Sequence, residues 1–189
     1  TGTVVFTGAN TYTGGTTIAT GATLNVSPAA AANSPLGSGG TITNNGTINI
    51  TPATTTGSIT NADYTWATAQ TVSGPGAINF LSGVSMVAPV PGGTTWTFTG
   101  TITVASGASL VGNYNFNAAS ANIVINGTYF TTNFTSTFAV LSGNGSIRNG
   151  HTAAGTFIAG GSAASTFSGN IINGSTGALT FKYTGTGTL

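Results

Sequence analysis

"FTGANTYTGGTTI", residues 6–18, holds no charged side chain, three glycines, and threonine at nearly every second position after Asn10. Threonine is β-branched and favours extended backbone, while glycine punctuates it. The stretch reads as one rung of a stacked strand ladder. Working outward, the rest of the chain uses the same alphabet: short runs rich in Thr, Val and Ile between Gly or Asn, with 30 glycines in 189 residues. The one helix-tolerant run, "PAAAANSP" at 28–35, is bounded by prolines and predicts a loop or a single turn.

Charged residues make up 2% of the chain, against about 25% in an ordinary soluble domain. They are Asp63, Arg148 and Lys182, beside a single His151, and the formal net charge is +1. No basic stripe exists to neutralise phosphates, so nucleic acid is excluded as a partner. The most apolar stretch, "INFLSGVSMVAPV" at 78–90, is broken by Ser82, Gly83, Ser85 and Pro89. It falls short of the roughly 20 apolar residues of a spanning helix, so membrane insertion of this segment is not expected. Cysteine is absent, which removes disulfides and thiol chemistry. The near-absence of Lys and Glu beside abundant Thr, Gly, Asn and Ala points to an extracellular or cell-surface location. No signal peptide opens the chain, so a mature or excised segment is expected.

Phenylalanine occurs at 80, 98, 116 and 134, each 18 residues after the last. A second column at the same step holds Val87, Ala105, Ile123 and Leu141. Ile78, Trp96, Tyr114 and Thr132 stand two residues before each Phe, and positions two apart on a strand share a face. Stacked in register at about 4.8 Å, these columns predict a core ladder of Phe80, Phe98, Phe116, Phe134, Val87, Ile123 and Leu141. Carried along the whole chain, the period predicts about ten coils and a rod about 50 Å long. Asn-Gly pairs at 45–46, 126–127, 144–145, 149–150 and 173–174 suit positive φ. They serve either two-residue hairpins or corners between the sides of a coil.

"FTGANTYTGGTTIATGATLNV" at 6–26 resembles the autotransporter-associated β-strand repeat of bacterial surface proteins. "ANSPLGSGGTITNNGTINI" at 32–50 continues the resemblance, and "STFSGNIINGSTGALTFKYTGTGTL" at 165–189 matches the phrase that precedes the first one in that family. Phe181 and Tyr183 around Lys182 depart slightly from it, and residues 51–160 match in composition alone. The resemblance implies a right-handed parallel β-helix on a cell surface, with no enzymatic activity. The expected fold is therefore all-β: one single-stranded right-handed parallel β-helix over residues 1–189. Its coils are about 18–20 residues long, with loop excursions near 27–40, 60–70 and 87–93.

Both ends are strand-like, "TGTVVF" and "FKYTGTGTL", and almost free of the charges that blunt sheet edges. Val4, Val5, Phe6, Leu179, Phe181, Tyr183 and Leu189 are the expected assembly interface, and the expected partner is another copy, head to tail. The leading expectation is a non-enzymatic subunit of a self-assembling surface fibre. The alternatives are a rigid stalk within a larger adhesin, and a binder of ice or glycans through Thr-x-Thr arrays such as those at 11, 41, 101 and 184. The irregular spacing of these arrays does not by itself demand one flat face.

Chemistry has few carriers. Asp63 is the one carboxylate, whereas glycoside hydrolysis and most acid/base pairs need two. His151 on "RNGHT" reads as a solvated turn residue, no nucleophile-elbow motif is present, and one His with one Asp makes a poor metal set. No cofactor is expected. Lys182 is a candidate for an isopeptide bond to an asparagine assisted by Asp63, against the simpler expectation of an exposed lysine. Tyr12, Tyr64, Trp66 and Trp96 are candidates for stacking on surface glycans, with Trp96 more naturally placed in the core.

Overall fold

The computed structural model describes residues 2–8, 10–27, 35–52, 70–88, 94–174 and 176–189, and for 86–88 the backbone alone. Among them are twenty strands and no helix. The first are β1 (Thr3–Phe6), β2 (Thr16–Ile18), β3 (Thr23–Val26), β4 (Thr41–Asn44) and β5 (Thr47–Ile50). Next come β6 (Thr71–Ser73), β7 (Ala77–Phe80), β8 (Ser85–Ala88), β9 (Thr95–Trp96) and β10 (Thr101–Val104). They continue as β11 (Ser109–Gly112), β12 (Asn117–Ala118), β13 (Asn122–Ile125), β14 (Thr128–Thr131) and β15 (Thr135–Phe138). The last are β16 (Leu141–Ser142), β17 (Ser146–Asn149), β18 (Gly155–Ala159), β19 (Asn170–Ile172) and β20 (Leu179–Tyr183).

These strands form four sheets. One has seven strands in the order β1-β3-β5-β7-β10-β13-β16, and one has five, β19-β17-β14-β11-β8. Two have four strands, β2-β4-β6-β9 and β12-β15-β18-β20. Every paired strand runs parallel to its neighbours. From β10 to β18 the chain visits the seven-stranded sheet, the five-stranded sheet and the β12 sheet in that order, three times over. Parallel neighbours cannot be joined by a tight hairpin. The Asn-Gly pairs that fall between described strands therefore turn corners between sheets.

Alternation within each strand builds the core. β3, β5, β7, β10 and β13 each bury their second and fourth residues. In register these make two inward columns: Leu24, Ile48, Ile78, Ile102, Ile123 and Leu141, then Val26, Ile50, Phe80, Val104 and Ile125. All of them are buried, and each side chain stabilises the fold by about 1.5–3 kcal/mol. An aromatic cluster links Trp96 to Phe116 at 4.7 Å between ring centroids, Phe116 to Phe138 at 5.1 Å and Phe138 to Phe157 at 5.4 Å.

The single 18-residue period is corrected. Partners lie 18 residues apart at Ile123 and Leu141, 24 apart at Ala77 and Thr101, and 30 apart at Thr47 and Ala77. Phe80 therefore stacks between Ile50 and Val104, not on Phe98. Phe98 follows β9, and Phe116 immediately precedes β12, in different sheets from Phe80. Phe134 is half-buried beside Tyr114, with ring centroids 5.2 Å apart. Of the second column, Ile123 and Leu141 are in register, whereas Val87 pairs with Val111 rather than Ala105. The physical reason is that strands must align while the connections between them differ in length. The longest sheet has seven strands rather than ten, which spans about 30 Å at the usual strand spacing. The expected excursions at 27–40, 60–70 and 87–93 fall largely on residues 28–34, 53–69 and 89–93, outside the described set.

The corners correct a second expectation. None of the glycines in the five Asn-Gly pairs has positive φ; that conformation is found at others, such as Gly74 and Gly143. What the paired glycines supply is room. A Cβ on Gly46 would collide with the carbonyl oxygens of Ala19 and Ala22, one on Gly76 with that of Gly46, and one on Gly100 with that of Gly76. Gly145 stands in the same relation to Gly127, and Gly169 to Gly145. Two columns of glycine thus let successive corners stack backbone on backbone.

Candidate functional site

The features open to a partner are sheet edges. β1 ends the seven-stranded sheet, β19 the five-stranded sheet and β20 the β12 sheet. Each pairs on one side only, so a row of backbone N–H and C=O groups faces outward. Beyond β1 the apolar surface is bare: Val4 is 55% and Val5 56% exposed. Val4 and Phe6 occupy the inward columns of Leu24 and Val26, and among the described residues no strand pairs with β1 on its other side. With Gly2, Ile18, Ala22 and Leu24 they line an open hollow of about 350 Å³.

At the other edges, Ile171 and Ile172 on β19 are 40% and 43% exposed. On β20, Leu179 and Phe181 are half-buried and Tyr183 is exposed, as is Leu189 after it. Phe181 stacks on Phe157, with centroids 6.1 Å apart and rings tilted by 13°, and is the last ring of that column among the described residues. The structure thus gathers the seven expected interface residues into two groups: Val4, Val5 and Phe6 on one terminal strand, the other four on and after another. Ile171 and Ile172 were not foreseen. Their signal was the "NII" run before Asn173-Gly174, which gains meaning only once β19 is known to be an edge.

Groups that could carry chemistry are scattered. Among the described residues no cluster of three His, Cys, Asp or Glu side chains exists. His151 is exposed in the turn after β17, where its Nδ1 accepts from the Ala153 N–H at 3.0 Å. Arg148 lies with its guanidinium carbon 5.6 Å from the centroid of the Phe130 ring. Lys182 is exposed on β20. Asp63, Tyr64 and Trp66 lie outside the described residues, and with them both the isopeptide assistant and two of the glycan candidates. Trp96 is buried, its ring against Phe116. Tyr12 is exposed, with its hydroxyl bonded to that of Thr16. No described helix is long and apolar enough to cross a membrane.

Two buried asparagines bridge successive passes of the chain. Asn44 is fully buried at the end of β4, and its Nδ2 donates to the Ala77 carbonyl at 2.8 Å. Asn149 at the end of β17 donates to the carbonyls of Ala153 and Ala178 at 2.7 and 2.9 Å and accepts from the His151 N–H at 2.8 Å. On the outer face of the seven-stranded sheet, Asn79 donates to Asn49 and Asn49 to Asn25, each at 3.0 Å. No protein-family model, curated protein or solved structure matches the chain.

Proposed function

We propose that the chain is a non-enzymatic extracellular structural protein, a right-handed parallel β-solenoid whose copies stack end to end into a surface fibre. The four sheets are the sides of its coils, and the cyclic order in which the chain visits them supports that architecture. The observation that carries the functional proposal is the pair of open edges: β1 with bare Val4 and Val5, and β19 and β20 with Ile171, Ile172 and Phe181. Edge strands natively carry charges or bulges that deter pairing. Here Lys182 is the one charge on these three strands, and a net charge of +1 leaves little repulsion between copies. A contact of one end with the other does not close on itself and propagates as a filament. The Phe157–Phe181 stack and the Leu24–Val4 column would then run on through the junction.

A second architecture, the stalk of a longer surface protein, is favoured by the order of the phrases that resemble the autotransporter-associated repeat. The 165–189 phrase precedes the 6–26 phrase in that family, so a covalent neighbour would restore the order. Electron microscopy of the purified chain over a dilution series tests the fibre. Filaments are expected at high concentration, and Val4→Lys, which places a charge on the outermost strand, is expected to abolish them while leaving the melting transition in place. A chain that stays monomeric at the highest concentration reached overturns the fibre and leaves the stalk.

A further inference from the structure

The Thr-x-Thr runs are irregularly spaced in sequence, yet one sheet aligns several of them. In β2-β4-β6-β9, Thr41 pairs with Thr71 and Thr71 with Thr95, while Thr17 pairs with Thr43 and Thr43 with Ser73. The partners are 24 to 30 residues apart, which hides the alignment from any fixed-period reading. Thr97 continues the second column, since Trp96 pairs with Val72 and the Thr97 N–H donates to the Val72 carbonyl at 2.9 Å. Thr99 follows two positions on. Ile42, Val72 and Trp96 alternate with these residues and point inward, all buried. Thr17, Thr41, Thr95, Thr97 and Thr99 are exposed, and Thr43, Thr71 and Ser73 half-exposed within the columns.

The outer face is thus a two-dimensional array of hydroxyl-bearing side chains. Its steps are about 4.8 Å across the strands and about 6.6 Å along them. Three of its hydroxyls are held in a similar way: Ser73 and Thr97 donate to a backbone carbonyl of the preceding strand, and Thr99 to that of Gly74 just after β6, at 3.4, 3.5 and 3.4 Å. These long bonds bias three of the eight rotamers before any ligand arrives and lower the ordering cost of binding. Among the described residues of this face there is no charge and no outward aromatic ring.

We propose that this face adsorbs to ice. Charge recognition is impossible on an uncharged array, and stacking on a sugar requires a ring within it, whereas Trp96 is buried and the exposed Tyr12 precedes β2 rather than standing in the columns. A second copy is disfavoured by size. Three strand steps by one or two residue steps cover at most a few hundred Å², below the ~800 Å² per partner of a stable interface. A crystalline aqueous surface differs from all of these, because it repeats its hydrogen-bonding sites on a lattice. A rigid array can therefore meet it at many points together, each contact weak and the sum large, as in any multivalent contact. The threonine methyls leave liquid water on contact, and the hydroxyls meet the lattice oxygens. The outer face of the seven-stranded sheet lacks this regularity. Its columns mix threonine with the bonded Asn25, Asn49 and Asn79, and with Ala77 and Val124.

Ice adsorption is independent of end-to-end assembly, and it is tested on the purified chain by thermal hysteresis and by the shape of a single ice crystal. The expected result is faceted growth and a measurable hysteresis gap. Thr97→Tyr, the central residue of the Thr95, Thr97 and Thr99 row along the last strand, is expected to reduce the gap at least fivefold, whereas Thr103→Tyr on the seven-stranded sheet leaves it unchanged. If Thr97→Tyr lowers the melting temperature, Thr95→Lys at the edge of the array provides the second variant, with the same expected loss. Round, unfaceted ice in the presence of folded chain overturns the proposal. So does an equal loss in the Thr97 and Thr103 variants.

Discussion

At the scale of single residues, two features decide more than their size suggests. Tyr129 is fully buried and donates to the Ser136 hydroxyl at 2.7 Å. Burial pushes its phenol well above the usual range, the Ser136 bond opposing this only in part. Below about pH 10 the phenol is protonated in the folded and unfolded chains alike; above it the unfolded chain ionises first, so stability falls as pH rises. Urea unfolding is expected to show that alkaline loss in the native chain and a weaker one in Tyr129→Phe. At pH 7 the same substitution costs about 1–3 kcal/mol, because it leaves the buried Ser136 hydroxyl without its partner. Gly145 makes the second case. A Cβ there meets the Gly127 carbonyl of the neighbouring corner, whereas one on Gly14 meets nothing within 4 Å. Gly145→Ala is expected to destabilise by about 1–3 kcal/mol, and Gly14→Ala to be neutral or stabilising by up to ~1 kcal/mol, both read from denaturant midpoints. Glycine abundance was plain in the sequence; which glycines are sterically required was not, because the obstructing carbonyls belong to residues on the neighbouring pass of the chain.

At the scale of elements, strands are legible and their neighbours are not. Alternation of Thr or Asn with Ile, Val or Phe marks β3, β5, β7, β10 and β13 directly, since each shows one wet and one buried face. Pairing depends instead on the length of the connection, and the 18-residue column of phenylalanines dissolves because most connections add residues. Corners are held by side chains that bridge two passes, and Asn149 is the fullest example. Asn149→Ala is expected to cost about 3 kcal/mol, because it strands the Ala153 and Ala178 carbonyls and the His151 N–H. Asn149→Asp retains an acceptor and loses the donor, setting a carboxylate against two carbonyls. Burial and that repulsion raise its pKa. The stability of the Asp variant should therefore recover as pH falls and the carboxyl protonates. Thermal melts at pH 7 and at about pH 4 measure the difference.

At the scale of the whole molecule, cohesion comes from apolar burial and backbone pairing with almost no electrostatic part. The formal net charge is +1 and the charged fraction 2%. Raising sodium chloride from low to molar concentration should therefore shift the melting temperature by less than the ~2–4 °C that 1 kcal/mol produces in a chain of this size. A large shift would show that Arg148 or Lys182 carries stability that their surroundings do not suggest. The same scarcity of charge leaves the terminal edges without the usual deterrent to pairing. The positions of these residues were legible in part: β1 and β20, apolar apart from Lys182, can be read as strands from sequence, and both end their sheets.

Local sequence sets the class of backbone: short extended segments with alternating faces, a charged fraction of 2% and no cysteine. These are local properties, set by side-chain branching and charge within a few residues. Which segments lie side by side is set by the fold, and with that the stacked glycine corners, the buried Asn44 and Asn149, and the threonine array on β2, β4, β6 and β9. Strand pairing joins residues 18 to 30 positions apart, and backbone hydrogen bonds hold whichever strands the intervening connections bring together.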